Sequence, residues 1–268
     1  MNETDKAILT KVPAITLGFW IIKILATTFG ETAGDSVSMS WLGETTANAS
    51  NSFWQNGYLI GTGIFGLTLA VLVFAQIKAR RFNPWLYWAA IIASTTAGTT
   101  MADFATRSLG IGYSGGSLLL LTAVLMSILV WRLTLGTVSV SSVHRPKAEI
   151  FYWITITFSQ TLGTALGDWV ADGPLGYLGS AVIFGALLGL IALAYFWSKI
   201  DRVALFWAAF ILTRPLGAVV GDFLDKPYAQ GGLELSRVSA SLVLGGAIVA
   251  LIFLFRQKAA PADVRQMH

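Results

Sequence analysis

Eight long apolar segments divide the chain, and the polar and charged residues collect in the short links between them. Each segment has about 20 residues, the length that an α-helix needs to cross the hydrocarbon core of a bilayer. The segments lie at approximately 12–34, 57–77, 84–104, 114–135, 150–170, 176–197, 203–223 and 233–255. The pattern predicts an all-α polytopic membrane protein with eight transmembrane helices, forming a single transmembrane domain over 1–268.

Every second segment carries the same motif. An aromatic residue and a Trp come first; Gly follows ten residues after the Trp, Gly or Ala four residues later, and Asp directly after that. The copies read FWIIKILATTFGETAGD, YWAAIIASTTAGTTMAD, YWITITFSQTLGTALGD and FWAAFILTRPLGAVVGD, at 19–35, 87–103, 152–168 and 206–222. A spacing repeated in this way predicts internal structural repeats. We call these segments the motif helices and the plainer segments between them the partner helices.

Two helices per repeat return the chain to the side on which it started, so the repeats point the same way. Such parallel repeats are related by an axis along the membrane normal. The repeats are expected at approximately 12–77, 84–135, 150–197 and 203–255, in a pseudo-fourfold or two-plus-two arrangement about that axis. The Trp that begins each motif is read as a marker of the membrane interface.

Charge and composition narrow the class of protein. Only 12% of the residues are charged, against about 25% in a soluble domain. Basic residues collect at both ends of the chain and after every second helix, which places both termini in the cytoplasm by the positive-inside rule. The net charge of +4 therefore reflects topology, and no nucleic-acid partner is expected. With no Cys and only His144 and His268, a thiolate or imidazole metal site inside the membrane is excluded. No catalytic triad or phosphate-binding loop is present, so we expect neither an enzyme nor a bound cofactor.

The end of each motif suggests chemistry beyond packing. The two small residues lie four apart, on one face of the helix, and let helices approach closely. Tight helix crossing alone would explain them, and an Asp just outside the hydrocarbon could simply cap the next turn. An acid inside a bilayer is costly, however, and is a functional candidate by default. The four motif acids are Asp35, Asp103, Asp168 and Asp222.

These acids are suited to binding a hard cation. They lie at the carboxyl ends of their helices, where free carbonyl groups make the potential negative. Carboxylates and carbonyls suit Mn²⁺, Mg²⁺, Ca²⁺, Na⁺ or a proton better than zinc or copper. The first repeat adds Glu31, four residues before Asp35 and on the same face. The expected ligand set is therefore Glu31, Asp35, Asp103, Asp168 and Asp222.

Three further charged residues accompany the motif. Lys23 and Arg214 lie within apolar segments, where a basic residue needs a partner, and Glu31 and the motif acids are the obvious candidates. Snorkelling of Lys23 to the interface is the alternative. Asp172 follows Asp168 by four residues. We expect these three residues to couple transport to protons or to balance the charge of the acids.

The opening sequence KVPAITLGFWIIKILATTFGETAGD resembles that of a bacterial family of uncharacterised, membrane-anchored, multi-pass inner-membrane proteins. The similarity extends over nearly the whole chain, including the repeated Gly-Asp ends. The resemblance implies a location in the bacterial inner membrane and carries no mechanism.

These observations lead to an expected function. We expect a transporter of a cation, most of all a divalent metal such as Mn²⁺, exported in exchange for protons. The transported cation, protons and the lipid bilayer are its expected partners. A pseudo-fourfold cation channel, an anion or small-solute carrier that uses Lys23 and Arg214, and a membrane scaffold are the alternatives. The sequence leaves the ion, the direction and the oligomeric state open.

Overall fold

The computed structural model describes residues 9–44 and 53–262. Lys6, His268 and most of the polar link after the first motif lie outside these residues. The described chain forms eight α-helices: α1 (Leu17–Asp35), α2 (Gly57–Lys78), α3 (Pro84–Asp103), α4 (Gly112–Leu135), α5 (Pro146–Ala171), α6 (Gly176–Trp197), α7 (Arg202–Asp225) and α8 (Arg237–Leu254). π-Helical turns extend α1 and α3 over Ser36–Trp41 and Phe104–Ser108. Short 3-10 turns lie at Phe53–Gln55, Val140–Ser142 and Tyr228–Gln230.

The first segment was predicted to be helical from residue 12, and this prediction was wrong at its start. Leu9–Pro13 is a strand, β1, that pairs antiparallel with β2 (Ala259–Pro261). The helix begins only after Thr16, whose hydroxyl accepts a hydrogen bond from the Phe19 amide at 3.2 Å and so caps the first turn. The two strands tie the two ends of the described chain together beside the helices.

The four motif helices pack in a closed cycle. Contacts run from α1 to α3, from α3 to α5, from α5 to α7 and from α7 back to α1. Each partner helix packs mainly against the motif helix of the following repeat: α2 on α3, α4 on α5, and α6 on α7. The last partner, α8, packs on α1. The predicted hairpins are therefore units of sequence and not units of packing.

Aromatic side chains close one end of this cycle. The first aromatic residue of each motif contacts the Trp of the next motif, with ring centroids 5.5 to 6.2 Å apart. The pairs are Phe19–Trp88, Tyr87–Trp153, Tyr152–Trp207 and Phe206–Trp20. Trp88, Trp153 and Trp207 are buried, so the interpretation of these residues as markers of the lipid interface was wrong for three of the four. Their role in the structure is to seal the amino-terminal ends of the motif helices.

The outer surface is apolar. Within residues 9–44 and 53–262, five helices, α2, α4, α6, α7 and α8, are long and apolar enough to cross a membrane by length and composition. The partner helices expose many large apolar side chains, Leu118, Phe74 and Leu242 among them, as a lipid-facing surface requires. The other motif helices are richer in threonine and lie inside, where neighbouring helices shield them.

Candidate cation-binding site

Polar side chains recur at intervals of four residues along the motif helices, on the face turned towards the other motif helices; the fourth helix interrupts the series with Ala218. The first helix shows the complete series of Lys23, Thr27, Glu31 and Asp35, all of them buried. The corresponding positions of the four helices form three layers. The inner polar layer is Thr27, Thr95, Gln160 and Arg214; the middle layer is Glu31, Thr99, Thr164 and Ala218; the acidic layer is Asp35, Asp103, Asp168 and Asp222.

The motif glycines set the register between the layers. A Cβ atom added to Gly98 would lie 2.9 Å from the carbonyl carbon of Gln160 on the next helix. The first glycine of each other motif meets the inner polar layer of the following helix in the same way. These contacts are Gly30 with Thr95, Gly163 with Arg214, and Gly217 with Thr27. Since any side chain here would collide with the neighbouring helix, the small residues fix which side chains meet at the centre.

The middle layer is organised by one arginine. Arg214 begins in the inner polar layer but extends outward, and Ala218, one turn further along α7, leaves the room for it. Its Nη2 donates to Glu31 Oε2 at 2.9 Å and to Thr99 Oγ1 at 2.6 Å, and it also contacts the Thr164 hydroxyl. One guanidinium thus binds a middle-layer residue from each of the other three motif helices.

Two basic residues lie in the acidic layer, and each bridges two of its carboxylates. Lys226 Nζ lies 2.7 Å from Asp35 Oδ2 and 2.9 Å from Asp222 Oδ1. Arg107 lies 3.3 Å from Asp103 Oδ1 and 2.7 Å from Asp168 Oδ2. Each base follows the Asp of its own motif by four residues and reaches the Asp of a neighbouring helix.

The acids outnumber these bases. Five carboxylates, those of Glu31 and the acidic layer, face the three bases Arg107, Arg214 and Lys226, which leaves a formal excess of two negative charges. Three oxygens of the acidic layer, Asp35 Oδ1, Asp103 Oδ2 and Asp168 Oδ1, are buried with neither a hydrogen bond nor an ion pair among the described residues. Buried charge that is not compensated in this way calls for a cation or for protons.

Among the residues that the structure describes, two groups of three acids bring carboxylate oxygens within 4.8 Å of one another. Asp35, Asp222 and Asp225 form one group, which already surrounds the Lys226 ammonium. Glu31, Asp168 and Asp222 form the other, in which each acid is paired with a different base. A hard cation fits the second group better, because no base pairs with more than one of its three carboxylates, whereas Lys226 pairs with two in the first group.

The surroundings of Lys226 keep it charged. Burial lowers the pKa of this ammonium, but the carboxylates of Asp222, Asp35 and Asp225 together hold the pKa well above its ordinary value. Lys226 therefore acts as a permanent internal cation that balances part of the acidic layer at physiological pH.

A cavity of about 370 Å³ opens beside the acidic layer. Arg107, Asp172, Asp222, Lys226 and Gln230 are among its lining residues. It gives the charged centre a route to the surface at the carboxyl ends of the motif helices. A larger, apolar cavity of about 870 Å³ lies between α1, α6 and α7 towards the opposite end, and none of the five acids lines it.

The structure brings most of the predicted site residues together and separates two of them. Glu31, the four motif acids and Arg214 form one connected cluster. Lys23 lies deeper and forms no ion pair with a carboxylate in the described chain; its Nζ donates to Thr213 Oγ1 at 3.0 Å and lies 3.9 Å from the Phe210 ring centroid. Because Lys23 is fully buried, it does not snorkel to the surface. Asp172 is exposed at the cavity mouth and is not part of the cluster.

Sequence reasoning overlooked Arg107 and Lys226, which lie in the links that follow α3 and α7. A signal was present, because both residues follow a motif Asp by four residues, one helical turn. Met39 and Asp172 stand at the same position in the first and third repeats. Comparing this position across the repeats would have shown bases in alternate copies.

A family model described as Repeat of Unknown Function (DUF347) matches the chain four times, at residues 18–82, 86–137, 151–201 and 205–259. These matches cover most of the chain and confirm the prediction of four internal repeats. No curated protein and no solved structure matches the chain.

Proposed function

The chain belongs to the DUF347 repeat family, whose description names no activity, and from the site alone we propose that it exchanges a divalent metal cation for protons across a membrane. The observation that carries the proposal is the excess of two buried carboxylates over the three bases that pair with them. One divalent cation neutralises that excess, and so do two protons. The two loaded states would have the same net charge, which would make the exchange of one ion for two protons electrically neutral.

The donor set favours a hard ion. Glu31, Asp168 and Asp222 offer carboxylate oxygens as ligands, and sites of this kind suit Mn²⁺, Mg²⁺ or Ca²⁺. Asp103 Oδ2 and Asp35 Oδ1, which lie in the acidic layer and have no partner among the described residues, would extend the set. Within this class we propose Mn²⁺ as the substrate to test first.

We also propose that all eight helices span the bacterial inner membrane, with both termini in the cytoplasm. The equivalent contacts around the cycle of motif helices support a pseudo-fourfold axis along the membrane normal. The two bridging bases reduce this to a two-plus-two arrangement, because Lys226 joins the first and fourth repeats and Arg107 joins the second and third. The cavity beside the acidic layer would then face the periplasm.

A carrier explains this centre better than a channel. A cation moving inward from the acidic layer would meet the Arg214 guanidinium, then the buried Lys23 side chain and finally the aromatic end. Passage therefore requires the motif helices to rearrange, so that the acids become open to each side in turn. Breaking the Arg214–Glu31 pair when the metal takes Glu31 as a ligand would couple binding to that movement.

The remaining predicted residues receive supporting roles. Asp172, at the mouth of the cavity, would attract cations towards the site. Lys23, buried behind Arg214 with its Nζ bonded to Thr213, would serve in proton coupling and not as a ligand of the ion. The anion-carrier alternative is weaker, because the cavity leads to a centre in which acids outnumber bases.

The test is flux in proteoliposomes. With a pH gradient imposed, Mn²⁺ flux and proton counter-flux should appear in a ratio of one to two and should not respond to a membrane potential set by potassium and valinomycin. Asp168→Asn should abolish both fluxes, because it removes a ligand carboxylate that the other acids cannot replace. Asp172→Asn is the matched control: it is the same substitution at an exposed acid one turn away, and more than half of the flux should remain.

Two results would overturn the proposal. Equal fluxes in Asp168→Asn and wild type, at matched amounts of folded protein, would leave the acids a packing role only. Ohmic Mn²⁺ currents without proton movement would establish a channel.

A further inference from the structure

The apolar cavity of about 870 Å³ between α1, α6 and α7 is open to the outer surface of the protein. Leu17 and Phe196 in its lining are 76% and 74% exposed, whereas Thr213, also in the lining, is buried. Its volume lies in the range of clefts that bind small molecules. Since apolar side chains on the outer surface of a membrane protein face lipid, the cavity is a crevice that acyl chains can enter. We call it the α7 crevice.

Two apolar walls form the α7 crevice. Helices α1 and α6 each pack on α7, and both contribute apolar side chains to the lining, such as Ile24 from α1 and Ile191 from α6. The partner helix that packs on α1 is α8, and it contributes no residue to the lining. No described α-helix other than α1, α6 and α7 lines the space between the walls, and an apolar chain that enters it buries apolar surface on both sides.

Arg202 lies at one end of the α7 crevice and has no acidic partner in the described chain. It is the first residue of α7 and lines the cavity. Its guanidinium lies 4.6 Å from the Tyr195 ring centroid and donates two long hydrogen bonds, at 3.5 Å to the Ala194 carbonyl and at 3.3 Å to the Ser198 carbonyl. None of the ion pairs among the described residues includes Arg202. Its remaining N–H donors are therefore available to an anion.

Hydroxyl groups lie at the same end of the crevice. The link before α5 is held against the first turns of α7, because Trp207 Nε1 donates to the Val138 carbonyl at 2.9 Å. Ser139 and Ser141 of this link line the crevice, with their hydroxyl oxygens 2.7 Å apart. The neighbouring acid, Asp201, caps the first turn of α7. The crevice thus combines apolar walls with one polar, positively charged end, which matches an amphipathic anion.

We propose that the α7 crevice binds one anionic phospholipid, with its acyl chains between α1 and α6 and its phosphate on Arg202. Arginine binds phosphate through charge-assisted hydrogen bonds, and basic pockets between membrane helices select anionic head groups. A second copy of the chain would cover the apolar walls but would leave Arg202 without a counter-charge, so lipid fits better. The site is separate from the acidic layer and does not depend on cation exchange. Its placement in the cytoplasmic leaflet rests on the proposed topology.

Thermal unfolding of the purified full chain in detergent tests the proposal, since a ligand that binds only the folded state raises Tm with its concentration. The ten Trp residues provide the fluorescence signal. Tm should rise and then saturate with the mole fraction of added phosphatidylglycerol, and should rise less with phosphatidylcholine. Arg202→Gln should keep the wild-type Tm in detergent alone. It should raise the phosphatidylglycerol fraction at half-effect by about tenfold, the equivalent of one hydrogen bond to a charged group.

Arg132→Gln is the matched control for charge. Arg132 is an exposed arginine in the last turn of α4 that donates to the Gly136 carbonyl and does not line the crevice, so its lipid response should equal that of wild type. The apolar walls are tested by a second pair of variants on α6. Ala192→Phe places a ring in the crevice and should lower the Tm rise with phosphatidylglycerol. Ala186→Phe adds the same ring at an exposed position outside the lining and should leave the rise unchanged.

Three results would overturn the proposal. Identical Tm curves with the two lipids would mean that the crevice does not select an anionic head group. Equal shifts in Arg202→Gln and Arg132→Gln would reduce the effect to general attraction between basic residues and anionic lipid. Equal responses in Ala192→Phe and Ala186→Phe would place the acyl chains elsewhere. The ratio of Mn²⁺ flux to proton flux, measured separately, would be unaffected by any of these results.

Discussion

The pair between Arg214 and Glu31 provides a sharp test of how the centre is held together. The two side chains are fully buried or nearly so, and the closest nitrogen and oxygen are 2.9 Å apart. Replacing Arg214 with Met keeps an unbranched apolar side chain and leaves Glu31 buried without its cation. Replacing Glu31 with Gln leaves the guanidinium unpaired instead. Each single variant should be strongly destabilised, and the double variant should lose less stability than the sum of the two single losses.

The magnitude follows from burial. At an effective dielectric constant of about 20, two unit charges 2.9 Å apart attract by about 6 kcal/mol, most of which offsets the loss of hydration. Breaking a buried pair by removing one partner costs about 3–5 kcal/mol. If the two substitutions acted independently, their costs would add, and the double variant would lose about 6–10 kcal/mol of unfolding free energy. Because the second substitution removes the charge that the first left unpaired, the double variant should lose no more stability than either single variant, a coupling of about 3–5 kcal/mol.

Thermal unfolding of the wild type, the two single variants and the double variant in the same detergent measures this coupling. A loss of about 3 kcal/mol corresponds to a Tm decrease of roughly 6–12 °C for a chain of this size. Arg237→Met serves as a control, since its pair with Asp225 is at the same distance but the arginine is partly exposed, and its effect should be under about 1 kcal/mol. Additive losses in the double variant would refute the reasoning, because they would mean that the two charges do not stabilise each other.

Three further predictions follow from other parts of the structure. Gly167→Leu should prevent assembly or lower Tm strongly, because its Cβ would lie 3.0 Å from that of Ala218, whereas Gly185→Leu has open space and should keep the Tm of wild type; equal Tm values would contradict the packing of the motif faces. The pKa of Lys226 is higher in the folded protein than in the unfolded chain. Its ion pairs therefore stabilise the fold fully at any pH below the unfolded pKa, and this stabilisation is lost only as the pH rises through the folded pKa. Lys226→Met should therefore lower Tm by a similar amount at pH 7 and pH 9, and a difference that vanishes at pH 9 would contradict a permanently charged ammonium. In a cysteine-labelling experiment on intact cells, Asp172→Cys should react with an impermeant maleimide and Lys78→Cys should not, and the reverse result would invert the proposed topology.

The local pattern of the sequence determined the helices and the repeats. The length of an apolar segment can be read from that segment alone, so the eight helices could be predicted without knowing which helices pack together. The same holds for the [FY]-W and Gly-Asp ends, because spacing along one helix decides which residues share a face. On that basis the sequence also identified Glu31 and the motif acids as candidates, and it placed Arg214 among the basic residues that need a partner.

The tertiary structure decided which helices and charges meet. Helix α7 closes on α1, and this closure places Asp222 and Lys226 beside Asp35, although Lys226 follows Asp35 by 191 residues in the sequence. Lys23 and Arg214 looked alike in the sequence, yet Arg214 reaches a carboxylate and Lys23 does not. The reason is geometric: a long basic side chain bonds to whatever lies within its reach, and that depends on the register between helices. The glycine contacts set this register, and a glycine in the sequence does not state which side chain will pack against it.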